Sequence, residues 1–203
     1  LDQRPPLGAV VVTLYNYADR ITEALHSVRG QTQQRLELIV VDDASTDDGP
    51  AVVERWMDAC LSADGHPFVR VLLLRHGYNA GLATARNTAL AHCQAPWCFV
   101  LDADNALFPD AVKDCLALAD ASNPLAAVVH PLLSVEAEPG RWDDQRTLVS
   151  TASWQRERLA SGNVVDAMAL VRRSAWEQVG GYTHIEGGWE DYDFWCKLAE
   201  AGF

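Results

Sequence analysis

Three stretches of this sequence set carboxylates where they could do chemistry. In VLDADN, Asp102 and Asp104 stand one residue apart at the end of an apolar run. In extended chain, residues i and i+2 point the same way, so both acids could face one hard cation. Mg2+ or Mn2+ commonly uses one or two protein carboxylates and completes its shell with water and diphosphate oxygens. There it neutralises charge developing on a departing phosphate. The plainer reading of Asp-x-Asp is a solvated turn after a strand. In VVDDAS, Asp42 and Asp43 end a second apolar run. A carboxylate there could accept from a base N–H or from ribose hydroxyls, while Asp43, Ser45 or Asp47 could equally cap a helix. In GGWEDYDFW, Glu190, Asp191 and Asp193 sit at or near a helix start. Acids are favoured there by the helix dipole, and one of them could be a general base for an acceptor hydroxyl. Arg86 could contact a diphosphate or pair with an Asp at the same rim. Local structure accounts equally well for Arg86, its neighbour Asn87, and the Asn79–Gly81 turn.

The elements that must position these groups follow a regular rhythm. AVVVTLYN, from Ala9, is a continuous apolar run ending in polar residues, as in strands buried on both faces of a parallel sheet. Ile21, Ala24, Leu25 and Val28 keep helical spacing, and Gly30 suits the stop. LELIVVDDAST repeats the strand pattern from Leu36. Pro50 suits a first helical turn, and Val53, Trp56, Met57, Cys60 and Leu61 form an apolar stripe. Phe68 to Leu74 is a third strand, Ala80 to Cys93 a helix of small residues, Trp97 to Asp102 a fourth strand, Phe108 to Ala121 a helix, and Ala126 to His130 a fifth strand. Strand and helix alternate, which predicts an α/β domain with a mostly parallel central sheet flanked by helices. Ligands bind beyond the carboxyl ends of such strands. The polar clusters at Thr13 to Asn16, Asp42 to Ser45 and Asp102 to Asn105 should therefore converge on one rim. From about Ser134 to Val165 the rhythm is lost, predicting a long excursion over the rim. Ser174 to Tyr182 reads as a short helix closed by glycines, and a last helix follows Gly187 and Gly188.

Composition bounds the function. The 203 residues are 49% hydrophobic and 22% charged, enough to bury a sizeable core. The net charge of −12 argues against nucleic acid or an anionic membrane as the main partner. It leaves room for an anionic ligand held by a metal ion and backbone amides. Five cysteines, an odd number without a Cys-x-x-Cys, read as reduced core residues of a cytoplasmic domain. No signal peptide or transmembrane run is visible. The chain begins at Leu1 rather than Met and is expected to be a domain excised from a longer protein. Any membrane attachment would come from parts outside this sequence.

Taken together, four blocks in order resemble the family 2 glycosyltransferases. They are VVVTLYNYADRITEALHSVRGQT, LELIVVDDASTD, NAGLATARNTAL followed by FVLDADN, and VGGY followed by GGWEDYDFWCKLAEAGF. The resemblance spans roughly Ala9 to Phe203 and implies the GT-A nucleotide-sugar fold. It implies one domain over 1–203, with residues 8–130 as the nucleotide-binding half and 131–203 as the acceptor side. Thr13, Tyr15 and Asp43 would hold the nucleoside, Asp43 reading the base, with Arg86 also on the donor side. Asp102 would lie near ribose and metal, and Asp104 would be the principal ligand of Mg2+ or Mn2+. Asp191 would be the catalytic base, with Glu190 and Trp189 on the acceptor side. The implied reaction is an inverting, metal-dependent transfer from a nucleoside-diphosphate sugar, UDP by family analogy, to a saccharide or lipid-linked hydroxyl.

Thr13 stands where the family commonly has proline. The family pattern continues past Phe203, with a segment that often completes the pocket and sometimes adds a metal-ligating His. No Gln-x-x-Arg-Trp occurs, so a processive polysaccharide synthase is not expected. Trp142, Trp154 and Trp189 could stack on sugar rings, but packing of a long loop on the core is the favoured reading. Two rivals fit less well. A non-catalytic nucleotide- or sugar-binding module would not need both Asp104 and Asp191. A sugar-phosphate nucleotidyltransferase would want a glycine-rich basic loop where this chain has TLYNYADR.

Overall fold

The computed structural model describes residues 4–135 and 147–203. Four strands run parallel in the spatial order β3-β2-β1-β4: β1 (Gly8–Leu14), β2 (Leu36–Asp42), β3 (Phe68–Arg75) and β4 (Trp97–Asp102). Each is followed by a helix: α1 (Ile21–Arg29), α2 (Gly49–Ser62), α3 (Leu82–His92) and α4 (Ala111–Ala121). β1 and β2 are buried along their whole length, which is why they read as unbroken apolar runs.

The two-residue period of a strand divides the core into two layers. Val10, Val12 and Leu14 of β1 join Ile21 and Leu25 of α1, Val53 and Trp56 of α2, and Val112 and Leu116 of α4. Ala9 and Val11 face the other way. They join Ala83, Ala85 and Ala89 of α3 and residues of two later helices, α6 (Arg173–Val179) and α7 (Glu190–Glu200).

The fifth strand departs from expectation. Ala126 to His130 contributes only β5 (Val128–Val129), at the sheet edge rather than beside β4. The place beside β4 belongs to β8 (Leu170–Arg172), antiparallel to β4 and to β5. β8 is thus the one strand that opposes the direction of the rest. Within the expected excursion, β6 (Leu133–Val135) and β7 (Thr147–Val149) pair antiparallel, and α5 (Arg156–Leu159) adds one turn. All five cysteines are free, four of them buried and Cys196 partly so. Among the described residues, no helix is long and apolar enough to cross a membrane.

Candidate active site

The carboxyl ends of β1, β2 and β4 open into a cavity of about 430 Å3. Thr13, Tyr15, Asp43, Asp102 and Asp104 all line it, together with Tyr17, Asn79, Gly81, Leu82 and Ala85. Five of the expected donor-side residues, from three separate strand ends, therefore converge.

Two loops hold the β1 and β2 side of this rim. Asn16, with φ of 58°, donates its backbone N–H to Ser45 Oγ at 3.0 Å and accepts from Thr46 N at 2.8 Å. Ala18 N donates to Asp47 Oδ2 at 2.9 Å, and Asp47 Oδ1 accepts from Gly49 N at 2.9 Å. Tyr15, 44% exposed, projects from this stitched pair of loops, and Thr13 is buried beneath it.

Asp43 does not cap α2. It reaches across to the approach to α3, where Oδ1 accepts from Ala80 N at 2.9 Å and Oδ2 from Gly81 N at 2.8 Å. A carboxylate at the amino end of a helix is favoured by the helix dipole. His76 Nδ1 lies 2.6 Å from Oδ1, and His76 Nε2 lies 3.0 Å from Thr88 Oγ1. Three partners leave one of roughly four acceptor positions on this carboxylate, on Oδ2. His76 has no motif of its own; its only sequence signal is that it follows β3 directly.

Asp102 is the last residue of β4, and the chain turns at once, with Asn105 N donating to the Asp102 carbonyl at 3.1 Å. Asp104 thus reaches the cavity through a turn anchored by buried Ala103, not through the pleat of a continuing strand. The surroundings of the two acids differ. Asp104 is exposed, and among the described residues its one hydrogen bond is to its neighbour Asn105. Asp102 accepts from Arg86 Nη2, at 3.0 Å to Oδ1 and 3.4 Å to Oδ2.

Arg86 is the hinge between the two halves of the site. Its side chain is 2% exposed, and Nη1 reaches Glu190 Oε1 of α7 at 3.4 Å. The guanidinium also sits over the Tyr182 ring, 5.6 Å from its centre. Burial alone disfavours the charged form; Asp102, then Tyr182 and Glu190, outweigh it, and Arg86 holds its proton more tightly than usual. Of the two roles open to Arg86 from sequence, pairing with an Asp at the rim is the one seen.

Glu190 is buried, and Asp191 beside it is half-buried in the first turn of α7. Asp191 Oδ1 accepts from Tyr192 N at 2.8 Å, and Oδ2 from Asn163 Nδ2 at 2.8 Å. Asp193 turns back along α7 to Lys197, at 2.6 Å. Arg86, Trp189, Glu190 and Asp191 are not part of the described lining of the donor cavity; Arg86 connects Glu190 to it through Asp102. Trp189 is 52% exposed, edge-on to Tyr192. Trp154 is half-exposed beside a separate apolar cavity with Trp195 and Phe203. Trp142 lies outside the described residues.

Two residues near this end carry no motif. Asn163 is one. Asp166 is the other: burial raises its carboxyl above the ordinary aspartate range, and the charges of Asp102 and Asp191 add to the rise. Neither has a sequence signal: their local bonds, from Val165 N and Met168 N, belong to ordinary turns, while Asp191 beside Asn163 and the charges acting on Asp166 come from distant elements.

The comparisons with known proteins give the family and the fold. The sequence profile described as Glycosyl transferase family 2 matches residues 9–180. Chondroitin synthase of Escherichia coli is 29% identical over 204 residues, which is 98% of this chain and 27% of that protein. Hyaluronan synthase of Pasteurella multocida is 28% identical over 98% of this chain and 19% of its own length. Succinoglycan biosynthesis protein ExoU of Rhizobium meliloti is 30% identical over 95% of this chain and 57% of its own length. The chain therefore spans only part of each of these relatives. Among solved structures, the mannosyltransferase PcManGT from Pyrobaculum calidifontis, in complex with GDP-Man and Mn2+, superposes with a TM-score of 0.69 at 24% identity, over 99% of this chain and 54% of that one. Staphylococcus aureus TarS 1-349 in complex with UDP-GlcNAc gives 0.70 at 21% identity, over 94% and 52%. These likenesses establish the expected GT-A fold, and the family match extends over most of the chain: it belongs to glycosyl transferase family 2.

Proposed function

We propose that this chain is the donor-binding and catalytic domain of an inverting transferase that moves a sugar from a nucleoside-diphosphate sugar to a hydroxyl of a saccharide or lipid-linked acceptor. The observation that carries the reading is the convergence of Thr13, Tyr15, Asp43, Asp102 and Asp104 on one cavity, tied through Arg86 to the acids that begin α7. The relatives support it: one solved neighbour holds UDP-GlcNAc and another holds GDP-Man with Mn2+. UDP is the preferred nucleotide by family analogy.

Thr13 and Tyr15 would form one wall for the nucleoside, and the free acceptor position on Asp43 Oδ2 would take a base N–H. Asp104 and Asp102 would hold Mg2+ or Mn2+. Their setting fits such an ion, since Asp104 is exposed with one weak intramolecular bond while Asp102 is shared with Arg86. A divalent ion there neutralises charge on the departing diphosphate.

Asp191 would accept the proton of the acceptor hydroxyl. The acceptor oxygen bonds to the anomeric carbon as the bond from that carbon to the diphosphate oxygen breaks. The electron pair leaves with the nucleoside diphosphate, and the sugar inverts. An aspartate is a weak base, but it needs to take the proton only as the new bond forms.

The test is sugar transfer or slow donor hydrolysis from UDP-GlcNAc, UDP-glucose and GDP-Man with Mn2+, in the wild type and in Asp191→Asn. The reading expects transfer or hydrolysis from one donor, with kcat in the variant down by about 10^2-fold or more and donor affinity unchanged. Equal turnover in both proteins would assign the base elsewhere.

A further inference from the structure

The chain from the last residue of α5 to β8 meets α7 through three hydrogen bonds among the described residues. The Tyr192 hydroxyl donates to the carbonyl of Leu159. Trp195 Nε1 donates to the carbonyl of Val165 at 3.0 Å. Asn163 Nδ2 donates to Asp191 Oδ2 at 2.8 Å. The first two bonds hold backbone to helix. The third is aimed at a carboxylate.

The orientation of the Asn163 amide is fixed by its other contact. Its Oδ1 accepts from Val165 N at 3.2 Å, so the oxygen must face that N–H and the NH2 group must face Asp191. The second oxygen of Asp191 accepts from Tyr192 N at 2.8 Å. Each carboxylate oxygen is therefore tethered by one donor and keeps a free acceptor position.

We propose that Asn163 is the positioning residue for the base: it locks the Asp191 carboxylate in one orientation so that its free lone pairs face the acceptor hydroxyl. The inference rests on Asp191 being that base. An untethered aspartate would sample several rotamers, and most would misdirect the lone pair; holding one of them is the orientation contribution to catalysis. The other titratable and charged groups around Asp191 are Glu190 beside it, Asp166 from the Asn163 segment, the neutral phenol of Tyr182, and Asp102 with Arg86 across the hinge. None of them donates a hydrogen bond to Asp191 among the described residues.

Two variants of the 203-residue chain test this. Asn163→Ala removes the donor. Asn163→Asp keeps the size and the acceptor for Val165 N, but sets a second carboxylate against Asp191. The bonds from Tyr192 and Trp195 hold the segment in both. The Asp191 χ1 rotamer, read from three-bond couplings to its Hβ protons in the ligand-free protein, should be single in the wild type and averaged over several wells in Asn163→Ala. It should be averaged or displaced in Asn163→Asp as well, because the donor is lost and a second carboxylate faces Asp191.

In turnover, kcat of Asn163→Ala should fall by about tenfold with the donor KM unchanged. An Asp191 rotamer that stays single and unchanged in both variants overturns the proposal. So does a fall in kcat that only matches a fall in folded protein. The coupling measurement needs no substrate, so it judges Asn163 even if the wild type shows no turnover. That last result would count against the transferase reading alone.

Discussion

Asp102 and Asp104 stand one residue apart and should respond differently to mutation. Asp104 is exposed and, among the described residues, bonded only to Asn105, so Asp104→Ala should change stability by no more than about 0.5 kcal/mol while ending metal-dependent nucleotide binding. Thermal melting and calorimetric titration of the same sample separate the two effects. Arg86 is the opposite case. Arg86→Met would leave Asp102 and Glu190 without their shared cation, and breaking a buried ion pair costs about 3–5 kcal/mol. Urea unfolding should record that loss at unchanged m-value. Asp166 gives a pH signature. Its carboxyl is raised by burial first, then by Asp102 and Asp191, so the fold favours the neutral form. That contribution is complete below the ordinary aspartate range, near about 4, and is lost as pH rises through the shifted value. Asp166→Asn, fixed neutral, should therefore melt above the wild type at pH 7.5 and by a smaller margin at pH 4. At this scale the motif acids were legible because a strand-ending carboxylate interrupts an apolar run. His76, Asn163 and Asp166 were not, because His76 and Asn163 bond to carboxylates far along the chain and the charges that raise Asp166 come from distant elements.

α3 is the element on which the site turns. Its small residues, Ala83, Ala85 and Ala89, let it pack closely on β1 and β2, which brings Arg86 beneath the rim. The next residue, Asn87, accepts from Trp176 Nε1 at 2.9 Å and Tyr182 N at 2.9 Å, and donates to the Tyr182 carbonyl at 2.8 Å. It thereby fixes the turn after α6 and sets Tyr182 under Arg86. Gly181 is required in that turn. Its φ is 75°, and an added Cβ would lie 2.5 Å from Asn87 Oδ1 and 2.7 Å from Trp176 Nε1. Gly181→Ala should destabilise by about 1–3 kcal/mol, in the range of a strained backbone residue, visible as a lowered melting point. The first four strands and their helices were legible because buried parallel strands are unbroken apolar runs and the helices keep their stripe. β8 was not. Three residues are too few to show a period, and its place beside β4 is set by chain that returns from the far side of the excursion. The turn after Asp102 was one of the two readings open at VLDADN, and the residues alone did not choose it, because the pleat and the turn both bring the two acids to the same cavity.

The whole molecule carries a net charge of −12, and the carboxylates that line the donor cavity are Asp43, Asp102 and Asp104. Such a rim repels a bare diphosphate unless cationic charge arrives with it, so nucleotide and metal should bind as one event. This coupling is the central claim, and it is a property of the assembled sheet, since the participating residues come from β1, β2, β4 and α3. The most direct measurement is the melting temperature of the chain with UDP, GDP, CDP or dTDP, each with and without Mn2+. A ligand at about 100 times its dissociation constant adds about 2.7 kcal/mol, which in a domain of this size moves the midpoint by about 5–10 °C. The account predicts that one nucleotide, UDP first, gives this shift only with Mn2+ and that Asp104→Ala removes it. A shift of equal size without metal, or one that survives in Asp104→Ala, would contradict it, as would no shift with any of the four.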